Sequence, residues 1–175
     1  MEIEHCSYQQ TYAPLNFSYT RLHRFKNMMT MLFFPSAAKH DEPVLRLFAG
    51  KTFHTIAEMK ETLRHSKLKN KRYCNLHLFA KLFLVNYIPP KTNTNRLILL
   101  RERIGRCFLN LESSFNLYSE SPTFFNYAWL LRKLLHRFKL QEFLPYLKKL
   151  KNKKRCVEYQ ERLTFLTNKS SEVGL

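Results

Sequence analysis

Two lysine-rich runs are the residues whose types and spacing point most directly to a chemistry. Lys148-Lys149-Leu150-Lys151-Asn152-Lys153-Lys154-Arg155 carries six cations in eight residues with no acid among them, and Lys67-Leu68-Lys69-Asn70-Lys71-Arg72 is a near-copy. Closely spaced cations displace condensed counterions from a chain of phosphates, which gives strong, salt-sensitive and largely sequence-blind affinity. The candidate phosphate contacts are therefore Lys67, Lys69, Lys71, Arg72, Lys148, Lys149, Lys151, Lys153, Lys154 and Arg155. Arg103, Arg106, Arg132, Lys133 and Arg137 form a second tier on neighbouring helices. The flanks of the two runs align poorly, so chance similarity of lysine-rich stretches is preferred to an internal duplication. Lys148-Lys149-Leu150-Lys151 also has the form of a nuclear-import signal, extended by Lys153-Lys154-Arg155.

Other chemistries find less support. Cys74-x-x-His77 sets two zinc ligands one turn apart, but a tetrahedral site needs two more, which only folding could bring from His5, Cys6, Cys107 or Cys156. No spacing pairs a nucleophile with a base, and no glycine loop could cradle a phosphate, so no enzyme, metal or cofactor is expected. Tyr73, His77, Phe79, Phe143, Tyr146 and Tyr159 lie close to the basic runs. Exposed, they could stack on unpaired bases and favour RNA over DNA; at helical spacing, the plainer reading is that they are core.

The distribution of charge agrees with a polyanion partner. Residues 1–50 hold five Lys/Arg and four Asp/Glu; the other 25 and nine lie in residues 51–175, which carry nearly all of the net charge of +17. Self-repulsion on that scale disfavours a compact state unless something neutralises it. Nucleic acid, with RNA favoured, is the first partner class; acidic proteins and an import receptor come next, and an anionic membrane surface ranks below them. The start Met1-Glu2-Ile3-Glu4-His5 has no basic region or apolar run, which predicts no signal peptide, a reducing compartment and free thiols. Leu76 to Ile88 is the most apolar stretch, yet it is too short to span a bilayer and contains His77, Lys81 and Asn86.

Helices must position these residues. Only 3 Gly and 7 Pro interrupt the chain, and 45% of residues are hydrophobic, which is ample for a core and too poor in turn residues for a β-sandwich. Residues 1–17 show no period and read as an extended arm. Leu22, Phe25, Met28, Met29, Leu32 and Phe33 line one helix face, ended by Pro35. Asp41 to Gly50 reads as a short helix with a left-handed glycine cap, and Thr55-x-x-Glu58 as a capping box. The pattern resumes from Tyr73 to Tyr87, either as one bent helix with the preceding one or as a separate helix. Thr94 or Asn95 is expected to cap a helix whose apolar positions are Leu97, Leu100, Ile104, Cys107 and Leu111, with Glu102 placed to pair with Arg106. Ser113 to Ser121 reads as a loop, Ser121-Pro122 as a helix start, and Pro145 as the start of a helix that runs into the basic cluster. The expected architecture is all-α: a single bundle-like domain of about five to seven helices over 18–167, with a basic surface, the arm at 1–17 and a flexible tail at 168–175.

Two functions fit. One is a non-enzymatic nucleic-acid-binding protein acting in the nucleus or in a ribonucleoprotein assembly. The alternative is a small helical adaptor, such as a viral accessory protein, that binds host proteins and uses the basic run for import; the cytoplasm is the alternative location.

Overall fold

The computed structural model describes residues 8–35, 42–68 and 73–172. Within them the chain forms seven α-helices: α1 (Tyr8–Phe33), α2 (Glu42–Phe48), α3 (Ile56–His65), α4 (Leu76–Phe83), α5 (Thr94–Tyr118), α6 (Tyr127–Arg137) and α7 (Lys153–Glu172). Two 3-10 turns, Tyr73–Asn75 and Gln141–Tyr146, complete the helical structure. No strand occurs among the described residues; Phe53 and Leu84 make an isolated parallel bridge. The all-α class and the helix number match the sequence pattern.

Several boundaries follow local rules. Glu58 N–H donates to Thr55 Oγ1 (3.2 Å) and Thr55 N–H donates back to Glu58 Oε2 (3.4 Å), the reciprocal capping box that starts α3. Gly50 takes φ of 70°, the left-handed geometry that a side chain would strain, just beyond α2. Asp41, its expected cap, lies outside the described residues. α3 and α4 are separate helices, and Lys69, Asn70, Lys71 and Arg72 between them also lie outside the described residues.

Other boundaries correct the sequence reading. α1 begins at Tyr8, so residues 8–17 are helical and not an extended arm. α4 stops at Phe83, well before Pro89, because Leu84 turns away to bridge Phe53, whose carbonyl accepts from Val85 N–H at 2.9 Å. Asn93, not Thr94 or Asn95, caps α5 by accepting from Arg96 N–H (2.8 Å). α6 begins at Tyr127 under an Asn126 cap (Trp129 N–H, 3.0 Å), while Ser121 folds into a turn with Thr123. Pro145 sits inside a 3-10 turn, and Lys148 to Asn152 is not helical. α7 continues to Glu172, so most of the expected tail is helix, with Leu166 fully buried.

α5 is the axis of the fold. It packs against α1 on one side and α7 on the other, and α1 also meets α4 and both 3-10 turns. Phe25 of α1 stacks on Phe108 of α5 at 4.4 Å, and Tyr127 of α6 closes edge-on against both rings. At the far end Phe125, Trp129 and Tyr159 tie the α6 entry to α7. Polar links cross the same interfaces: Arg21 pairs with the buried Glu112 (3.4 Å), Ser114 shares a hydrogen bond with Ser170 of α7 (2.5 Å), and Lys26 pairs with Glu102 (3.0 Å). These contacts carry α5 through the expected Ser113–Ser121 loop, since Ser114 and Phe115 are buried as well. Tertiary packing outweighs the weak helix preference of the serines.

His77 shows how the core disposes of a sequence-level metal candidate. Only 1% of it is exposed. The Leu32 carbonyl can only accept, so Nδ1–H donates to it (2.5 Å), and Nε2 of the neutral ring then accepts from the Tyr87 hydroxyl (2.9 Å). Tyr146 stacks on the ring at 4.1 Å. Both nitrogens are thus occupied. Burial pushes the imidazole below its ordinary value, the Leu32 carbonyl opposes this, and the Lys81 charge adds to it. Because the unfolded chain takes the proton first, stability present above the unfolded value of about 6.5 is lost as pH falls through the folded one. The urea midpoint is expected to drop between pH 7.5 and pH 5, and His77→Gln is expected to shrink that difference.

Candidate nucleic-acid interface

The site is organised around α6. Leu130, Leu131, Leu134 and Leu135 are buried, which leaves Arg132, Lys133, His136 and Arg137 on the outer side of the helix. After Phe138, Lys139 adopts φ of 57° and lets Leu140 N–H donate to the Leu135 carbonyl (2.8 Å). This turn sends the chain back along the helix, and the 3-10 turn that follows packs against α6. Arg132 fastens it by donating from Nη1 to the Leu144 carbonyl (3.0 Å), and Lys60 of α3 donates to the Leu147 carbonyl (3.1 Å). The Lys60 ammonium is held below its ordinary value by burial and then by the Arg132 charge.

The basic run therefore leaves a fixed point at the buried Leu147. Lys148, Lys149 and Lys151 are exposed, with Leu150 half-buried beneath them. Asn152 then caps α7, accepting from Arg155 N–H at 3.0 Å. Lys153, Lys154 and Arg155 occupy the exposed first turn of that helix, where no acid is present. The partial positive charge of the free helix amides adds to theirs, a combination that favours an anion there.

Four depressions border α6, each sharing a lining residue with the next. The first, about 340 Å³, is lined by Asn126, Ala128, Lys148, Lys149, Leu150, Lys151 and Asn152. The second, about 220 Å³, shares Lys149 and Leu150 and adds Trp129, Arg132, Lys133, His136 and Cys156. Lys133 belongs also to the third, about 280 Å³, which α5 and α7 line with Cys107, Asn110, Thr167, Ser170 and Ser171. Arg137 and Cys107 lead from there to the fourth, about 490 Å³, with Arg103, Arg106 and Phe138. The cations along this furrow are Arg103, Arg106, Arg132, Lys133, Arg137, Lys148, Lys149 and Lys151, and no Asp or Glu lines any of the four depressions.

Four of the acids are paired away from the furrow. Among the described residues, ion pairs join Glu112 to Arg21, Glu102 to Lys26 and Arg101, Glu42 to Arg46, and Glu61 to Arg64 and His65. The Glu102–Arg106 pair expected from their spacing is not formed, because Lys26 of α1 reaches Glu102 instead. Gly105 allows this approach: a Cβ there would come within 3.0 Å of Lys26 Cε. Arg106 stays in the furrow.

Sequence-predicted residues divide accordingly. Lys148, Lys149 and Lys151 meet the whole second tier along α6, whereas Lys67, Lys153, Lys154 and Arg155 are exposed but line none of the depressions, and Lys69, Lys71 and Arg72 lie outside the described residues. Lys148 Nζ lies 5.1 Å from the ring centre of Tyr73, the first described residue after the first run. Of the aromatics considered for base stacking, Phe79, Phe143, Tyr146, Tyr159 and His77 are buried, and Tyr73 is half-buried. They are core. Cys74 is exposed, Cys107 and Cys156 are half-buried, and none of the three is in a disulfide; Cys6 lies outside the described residues. Sequence reasoning missed Lys60, together with Asn110, Thr167 and Ser171 of α5 and α7, of which only Ser171 fell in the stretch read as tail.

Among the described residues no helix is long and apolar enough to cross a membrane. No protein-family model, curated protein or solved structure matches the chain.

Proposed function

We propose that this chain is a non-enzymatic nucleic-acid-binding protein that grips phosphates along the α6 furrow. One observation carries the reading: the four linked depressions are lined by eight cations and by no acid. Asn126 to Phe138 spans about 18 Å at the helical rise. One strand of a duplex presents a phosphate about every 3.4 Å, so the furrow takes about five. Such a surface reads charge and spacing, with few means of reading base sequence. The aromatics that could have stacked on unpaired bases are buried or half-buried, so a preference for RNA would rest on backbone shape and 2′-hydroxyl contacts, beside phosphate contacts that serve RNA and DNA alike. Affinity for either is expected to fall with salt, with a log–log slope of roughly −4 to −5 for a duplex. Fluorescence anisotropy against salt measures it, and a flat response sinks the proposal.

Lys148 to Asn152, exposed and outside regular structure, also supports recognition by an import receptor and action in the nucleus. Neutralising Lys148 to Arg155 separates the roles. Loss of nuclear entry with nucleic-acid affinity intact would favour the adaptor reading.

A further inference from the structure

The two ends of the furrow differ in chemistry. Around Asn126 the cations are lysines, compact point charges on flexible stems. Around Phe138 they are three arginines, Arg103 and Arg106 from α5 and Arg137 from α6, lining the largest of the depressions. Lysine suits a row of singly charged phosphodiesters, whereas the planar guanidinium fork binds two phosphate oxygens at once. Three such forks exceed what one phosphodiester can use, since it offers two unbridged oxygens and a single charge. A phosphomonoester offers three oxygens and a charge of about −1.5 to −2 at neutral pH.

Three further features fit this end to a concentrated charge. The Arg103 guanidinium lies over the Phe138 ring at 5.6 Å, which limits its freedom before any ligand arrives. Arg103 and Arg106 are like charges three residues apart on one helix, an arrangement that costs stability when nothing lies between them. The carboxylate one turn away, Glu102, hydrogen-bonds Lys26 and feels the Arg106 charge only through space, which relieves the repulsion in part. The depression, about 490 Å³, has room for a phosphate and the sugar that bears it.

We infer that the Arg103–Arg106–Arg137 end of the furrow is a subsite for a phosphomonoester, the terminal phosphate of a nucleic-acid strand. The inference rests on the nucleic-acid reading of the furrow. It gives binding a direction: the lysine end follows the backbone and the arginine end holds the terminus.

The test uses the full chain and one oligonucleotide sequence in four forms: 5′-hydroxyl, 5′-phosphate, 3′-phosphate, and a 5′-hydroxyl strand one nucleotide longer that adds charge without a phosphomonoester. Anisotropy at fixed salt is expected to show about tenfold tighter binding for one of the phosphate-ended forms, the worth of an added charge-assisted hydrogen bond or two. The longer hydroxyl-ended strand is expected to gain far less. As pH falls through about 6 the terminal phosphate dianion takes up a proton, and the advantage is expected to shrink. Arg106→Gln should erase the advantage, whereas Lys149→Gln should weaken all four forms alike. Equal affinity for all four forms overturns the subsite and leaves the furrow standing; binding to none of them overturns both.

Discussion

Replacing Lys148, Lys149 and Lys151 together by glutamine is expected to lower affinity for nucleic acid about 100-fold near physiological salt. Each phosphate contact releases close to one counterion, so three lost contacts remove about two powers of ten at that salt and about three units from the log–log slope. The side chains are exposed and make no ion pair among the described residues, so the fold should hold. Surface changes of this kind move stability by no more than about 0.5 kcal/mol each. The control is a triple change of equal charge elsewhere. Lys51, Lys81 and Lys91 are also exposed, and none lines the furrow. Their replacement by glutamine is expected to change affinity only severalfold, through the general field of the protein. Equal losses from the two triples would mean that net charge, and not the furrow, does the binding.

The largest effect on the fold is expected at Phe108. Its side chain is fully buried, stacks on Phe25 of α1, and meets Phe124 and Tyr127 edge-on. Phe108→Ala removes that hub and leaves a cavity where three helices meet, which costs about 3–5 kcal/mol. Domains of this size are stable by only about 5–15 kcal/mol, so the loss is between a fifth and the whole of that stability. Chemical denaturation measures the loss. Leu117→Ala, on the same helix but 73% exposed, is expected to stay within about 0.5 kcal/mol. Because α5 holds Arg103 and Arg106 opposite Arg137, a loosened α5 should weaken binding in step with the folded fraction.

What could be read in the sequence depended on how local its cause was. The Thr55–Glu58 capping box, the glycine after α2 and the α5 inner face from Leu97 to Ile104 each follow from residues within a turn or two, and each stands in the structure; beyond Ile104 the buried residue is Phe108, and Cys107 and Leu111 are only half-buried. The continuation of α5 past Ser113 depends on Arg21 and Ser170, which lie far away in the chain. No local pattern announces either. Glu102 and Arg106 had the spacing of a pair, yet Lys26 arrives from α1 and takes the carboxylate. The candidate site was legible as a set of residue types and not as an arrangement. Lysine runs and arginine faces stood out by composition, whereas their convergence on α6 required the return of the chain through Lys139 and the anchoring of Leu144 and Leu147 by Arg132 and Lys60. The aromatics near the runs could have faced bases or core, and only packing decides between them.

The central claim is that the α6 furrow binds phosphate chains, and one titration bears on it most directly. Wild-type protein and the Lys148, Lys149, Lys151 triple glutamine variant are compared in anisotropy against one duplex from about 50 to 200 mM salt. A slope of roughly −4 to −5 for the wild type, reduced by about three in the variant, is the predicted result. A wild-type affinity that does not change with salt, or a slope that the variant shares, would contradict it.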